Sequence, residues 1–130
     1  MQIDIADQRK DRTTSLSIDP EIVSDYCKLA GVDPAKVRIR VRDEQGAYGY
    51  TRPVAGGYRV VINIRYGKPQ LSIEAAYVVS NTLLHELRHC GQGEERGWSA
   101  LSGDYQGWSE VEAREVGRSI KGQTERYAIR

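Results

Sequence analysis

His85-Glu86-Leu87-Arg88-His89 is the stretch that decides how the rest of the chain is read. Its pattern is H-E-x-x-H. Histidines four apart share one face of a helix, one turn above each other, so both imidazoles reach the same small volume. That suits a tetrahedral Zn²⁺. Glu86 lies beside that face and can act on a zinc-bound water without being a ligand. With His85 at zero and about 100° per residue, His89 lies near 40° and Glu86 near 100°. Leu83, Leu84 and Leu87 lie near about 160°, 260° and 200° on the same wheel. One face therefore carries ligands and the other carries leucine. The chain has only 2 histidines, and both are in this motif.

A chain of 130 residues is expected to be a single domain, 1–130, with one core. The net charge of +1 implies no global polyelectrolyte partner. Charge is nevertheless uneven. Residues 36–70 hold eight basic and two acidic side chains, and residues 85–115 hold seven acidic and three basic. Cys27 and Cys90 are too few for a secreted disulfide framework and read as structural thiols. The N-terminal residues lack the features of a signal peptide, and no apolar run is long enough to span a membrane. The expectation is a soluble, cytoplasmic protein without a membrane partner.

Outward from the motif, residues 1–16 read as a polar arm with a short strand at Ile3 and Ile5. Asp19 as N-cap, Pro20 and Gly31 punctuate a first helix with Ile22, Val23, Tyr26, Leu29 and Ala30 as its apolar stripe. Lys36 to Arg42 alternates, with Val37, Ile39 and Val41 inward. The outward Lys36, Arg38, Arg40 and Arg42 read as a solvated face rather than a nucleic-acid grip. Ala47 to Val54 is a weaker strand that Pro53 keeps from a central position. Ala55-Gly56-Gly57 turns the chain into Tyr58–Ile64, the strongest strand. Ser72 caps the motif helix, expected from about Ile73 to about Cys90 with Gly91 or Gly93 as its end. Residues 91–107 read as a glycine-rich mobile loop, and a last helix begins at Ser109.

A catalytic zinc takes three protein ligands and keeps one position for water. No histidine remains, so the third ligand must be a carboxylate or a cysteine. Glu112 is the leading candidate, on a separate helix that a long loop can fold back. Ser109 and Glu112 also spell S-x-x-E, a capping box that competes for the same carboxylate. Glu115, Glu110, Asp104 and Cys90 stand in reserve. Glu115 is alternatively a group that orients a ligating histidine.

On His85-Glu86-Leu87-Arg88-His89 and the downstream Glu112-Ala113, preceded by Glu110, the chain resembles the gluzincin group of zinc metallopeptidases, in particular the small single-domain minigluzincins. The resemblance implies an α+β, zincin-like fold: an N-terminal helix, a small, mostly antiparallel twisted sheet, the motif helix and a C-terminal third-ligand helix. It implies one Zn²⁺ held by His85, His89 and Glu112. It also implies a substrate strand, here Val60, Val61 and Ile62 within Tyr58–Ile64, pairing with extended peptide. The expected activity is zinc-dependent hydrolysis of peptide bonds in a peptide or protein substrate. Glu86 takes a proton from the zinc-bound water and passes it to the leaving amine. Tyr105, Tyr127, Arg96 and Arg114 are candidates for stabilising the transition state. The alternative is a non-catalytic module in which zinc only holds a zincin scaffold together, with Cys90 as the suspected fourth ligand.

Overall fold

The computed structural model describes residues 2–65, 70–101 and 107–130. Seven main elements follow in order: β1 (Asp4–Asp7), α1 (Pro20–Ala30), β2 (Val37–Arg42), β3 (Gly49–Val54), β4 (Gly57–Asn63), α2 (Ile73–Arg96) and α3 (Trp108–Arg118). The fold is α+β, with a four-stranded sheet in the order β1-β2-β4-β3.

The sheet is mixed, not mostly antiparallel. β1–β2 and β2–β4 are parallel pairs, and only β3–β4 is antiparallel. α1 carries the chain from β1 back to the start of β2, which makes that pair parallel. β3 then takes the far edge, and the β3–β4 hairpin inserts β4 between β2 and β3. Composition explains the placement. β4 is apolar on consecutive residues, Val60, Val61 and Ile62, all buried, as a central strand requires. β3 contains Pro53, which an edge tolerates.

β4 is thus hydrogen-bonded on both sides, to β2 and to β3. Val60, Val61 and Ile62 therefore cannot pair with a peptide. β3 is the edge strand on that side of the sheet.

Alternation along the strands gives the sheet two different faces. Val37, Ile39, Val41, Tyr58, Val60 and Ile62 pack with Val23, Tyr26 and Cys27 of α1 and Leu83, Leu84 and Leu87 of α2. α1 starts as its punctuation predicts. The Asp19 carboxylate accepts from the Glu21 and Ile22 amides at 3.0 and 3.3 Å, and Gly31 closes the helix at φ 80°. Residues 2–16 supply β1 and place Arg9, buried, against Asp7 and the Thr14 carbonyl. The C-terminal tail is anchored too. Ile129 exchanges both of its backbone hydrogen bonds with the Ser80 hydroxyl at 3.1 Å.

α2 is longer than expected. It does not end at Gly91 or Gly93 but runs to Arg96, with Gly97 as its C-cap at φ 80°. The glycines serve close contacts instead. A Cβ at Gly91 would stand 1.7 Å from the Ala30 carbonyl oxygen, and one at Gly93 would stand 3.0 Å from the Tyr58 hydroxyl. Residues 91–96, read from sequence as loop, therefore extend the motif helix past the end of α1. No described helix is long and apolar enough to cross a membrane.

Candidate metal centre

The wheel positions of α2 hold in space. Its leucines are fully buried, and His85 and His89 emerge side by side, with ring centroids 5.0 Å apart. α3 lies against this helix through a stripe of small buried residues at helical spacing, Ser109, Ala113 and Gly117. The approach is close. A Cβ at Gly117 would stand 2.3 Å from Asn81 Oδ1 and 3.3 Å from His85 Cβ.

That stripe decides which glutamate meets the histidines. Glu110 and Glu112 are about 200° apart on α3 and flank the stripe on opposite sides. Glu110 falls on the histidine side. Its Oε1 lies 2.7 Å from His89 Nε2 and its Oε2 lies 3.4 Å from His85 Nε2. Glu112 falls on the other side, where Arg88 donates to it through Nε at 2.7 Å and Gln92 through its amide at 3.2 Å. The carboxylate brought to the histidines is therefore Glu110, a reserve candidate, and not Glu112. Nor does Glu112 close a capping box: α3 begins at Trp108 with Gly107 as N-cap.

His85, His89 and Glu110 form a cluster that could hold a metal ion, with one ligand atom from each all within 4.8 Å of one another. Ligand atoms about 2.1 Å from a tetrahedral zinc are about 3.4 Å apart. The Glu110–His85 contact of 3.4 Å matches that spacing, and the Glu110–His89 contact of 2.7 Å is shorter than it.

Gln92 fixes the state of His89. The fully buried Gln92 amide donates through Nε2 to the Ser109 carbonyl at 2.9 Å and to Glu112. Both partners only accept, so the amide orientation is settled. Its Oε1, 2.8 Å from His89 Nδ1, must then accept a proton from that nitrogen. In the neutral ring this leaves the lone pair on Nε2, facing the cluster, which is the form a metal ligand needs. Burial, and then the neighbouring His89, hold the His85 pKa below the usual histidine value, which favours neutral imidazole.

Glu86 is buried beside the cluster, its Oε2 3.9 Å from His85 Nε2. Thr51, on the inward face of β3, donates to Glu86 Oε1 at 2.8 Å and lies 3.1 Å from the Glu86 carbonyl oxygen. Burial raises the Glu86 pKa above the ordinary carboxylate value. A carboxylate shifted in that direction is a better proton acceptor.

The other predicted residues lie elsewhere. Glu115 is exposed on α3. Tyr127 is buried in the core against Tyr77, ring centroids 5.8 Å apart. Arg114 Nη2 stands 3.8 Å from Glu110, whereas Arg96 stacks over Trp108. Tyr105 and Asp104 lie outside the described residues. Cys90 points into the core, its thiol 3.6 Å from the Glu86 carbonyl oxygen. Sequence reasoning missed Gln92 and Thr51. Gln92 has a readable signal, since it stands three residues after His89 on the side facing α3. Thr51 has none, because its contact depends on the position of β3. No family model matches the chain, and it matches neither a curated protein nor a solved structure.

Proposed function

We propose that the chain is a zinc-dependent metallopeptidase, with His85, His89 and Glu110 as ligands and Glu86 as general base. The observation that carries this reading is the convergence of those three donors beside a buried carboxylate of raised pKa. Two imidazole nitrogens and one carboxylate oxygen suit zinc and leave one position open. Bound there, zinc would supply Lewis-acid chemistry, polarising the scissile carbonyl and acidifying water. Glu86, aligned by Thr51, takes the proton as the water oxygen adds to the carbonyl carbon. It returns that proton to the amine nitrogen as the C–N bond breaks. Extended substrate pairs with the edge strand β3, whose Thr51 already touches the base, rather than with β4.

The gluzincin-like reading rests on the first motif and on the order of elements, since the Glu112-Ala113 segment that resembled the second motif is engaged by Arg88 and Gln92. Against a purely structural zinc stands Cys90, which is buried in the core with its thiol toward the Glu86 carbonyl and lies outside the cluster of His85, His89 and Glu110.

Zinc stoichiometry of the wild type, Glu110→Gln and Glu112→Gln tests the centre. The wild type and Glu112→Gln should each hold one zinc, and Glu110→Gln should bind it far more weakly. Equal binding by all three would reject the ligand set. Glu86→Gln should keep the zinc and lose hydrolysis of an unfolded protein substrate. Undiminished hydrolysis in that variant would reject the mechanism.

A further inference from the structure

The sheet face turned away from the helices is crowded with guanidinium groups. Cross-strand register places Asp4, Arg38, Arg59 and Arg52 in one row over all four strands. Arg40 and Arg42 project from β2 to the same side. Asp4 accepts from Arg40 at 3.0 Å and stands 3.9 Å from Arg38, and Glu44 lies 3.3 Å from Arg42. Among the described residues, neither Arg52 nor Arg59 has a carboxylate within ion-pair distance. The Arg59 Nε is buried without any hydrogen-bond partner. Like charges at directly opposed positions destabilise a sheet, and an orphaned buried donor adds to that cost. The fold thus holds an unfavourable row of arginines that a bound anion would relieve.

Two tyrosines share this region. Arg52 lies over the Tyr50 ring at 5.0 Å, and Arg42 donates to the Tyr50 hydroxyl at 3.3 Å. Tyr48 is 53% exposed, with Arg65 over its ring at 5.3 Å.

We propose that this face binds single-stranded nucleic acid, with phosphates along Arg38, Arg59 and Arg52 and bases against Tyr48 and Tyr50. The net charge of +1 conceals the surface, because 7 of the 18 acidic residues lie on α2 and α3, at the other side of the sheet. Adjacent strands are about 4.8 Å apart, so the row spans about 10 Å, enough for two phosphates of an extended strand. Guanidinium groups pair with phosphate through two parallel hydrogen bonds, and exposed rings stack on any base. An acidic peptide would use the arginines but not the rings. The proposal is independent of the metal centre.

The test is fluorescence anisotropy of a labelled oligothymidylate against the full chain, between about 50 and 200 mM salt. Saturable binding is expected, with log K falling against log salt at a slope of about −1.4 for two phosphate contacts. Arg52→Gln, at an exposed position, should weaken binding several-fold and flatten the slope by about 0.7. Arg59→Gln should do the same, and Tyr48→Leu should weaken binding with little change of slope. Lys28→Gln, on α1, should change neither. Circular dichroism of each variant establishes that it is folded. Absence of saturable binding at the lowest salt would overturn the proposal, as would unchanged affinity in folded Arg52→Gln. Displacement of the oligonucleotide by an oligoglutamate peptide at equal or lower concentration would also overturn it and assign the face to acidic peptides.

Discussion

Gln92 Oε1 lies 2.8 Å from His89 Nδ1 while the other end of the same amide is held by α3. The side chain that orients the histidine therefore also ties the motif helix to the helix carrying Glu110. Gln92→Met preserves volume but removes the acceptor. Its zinc affinity should fall by about 10- to 100-fold, the range found when partners behind metal-bound histidines are lost. Competition with a chromophoric chelator measures this. Unchanged affinity would mean that the amide does not set the tautomer.

Thr51→Val separates base alignment from metal binding. The variant loses the hydroxyl at 2.8 Å from Glu86 Oε1 but touches no ligand. Zinc affinity should stay constant while turnover drops about 10-fold, the worth of one hydrogen bond to a charged group. A parallel loss of zinc would place Thr51 in the metal centre itself.

Gly91→Ala should destabilise the fold by about 3 kcal/mol. The added Cβ would meet backbone, the Ala30 carbonyl oxygen at 1.7 Å, so α1 must move as a unit. Urea denaturation checks this. Gly46→Ala makes a useful comparison, since a Cβ there meets nothing within 4 Å, and only its φ of 114° opposes the change.

The motif helix was legible in the sequence because its signals are local: Ser72 as cap, leucines on one side, histidines on the other. Its end was not. Gly91 and Gly93 imitate a helix stop, and only the position of α1 shows why glycine is required there. The sheet failed for a similar reason. Tyr58–Ile64 announced a strong strand, but β4 follows β3 in sequence while inserting beside β2 in space. Glu110 and Glu112 share a helix and a chemistry, so the packing of Ser109, Ala113 and Gly117 on α2 had to choose between them.

Both thiols should be silent in the native protein. Burial pushes the Cys27 pKa up to about 12, and burial raises that of Cys90 as well. Thiolate is the reactive form. Labelling by a thiol-specific disulfide reagent should therefore proceed at the rate of unfolding and reach both cysteines together. Rapid modification of one thiol in the folded state would contradict their placement.

Acid should weaken the N-terminal segment. Burial works to raise the Asp7 pKa, but hydrogen bonds and charge from Arg9 outweigh it, and the net value is lowered. A carboxylate with a depressed folded-state pKa contributes stability above its unfolded value of about 3.9. That contribution is lost as pH falls through the folded value. Melting temperatures of the wild type and Asp7→Asn should therefore differ at pH above about 5 and converge once pH falls below the lowered folded-state value. A constant difference across that window would assign the effect to packing instead.

β3 serves two surfaces at once. Thr51 turns inward to Glu86, while Tyr50 and Arg52 turn outward to the arginine row. A slip of one residue against β4 would exchange these sides, setting Arg52 beside the buried glutamate and Thr51 among the guanidinium groups. Both surfaces would fail together. What holds the alignment is the two-residue link between Val54 and Gly57, with Gly56 at φ 80°. Part of neither surface, that link is the point at which lengthening the chain by a single residue would silence the whole molecule.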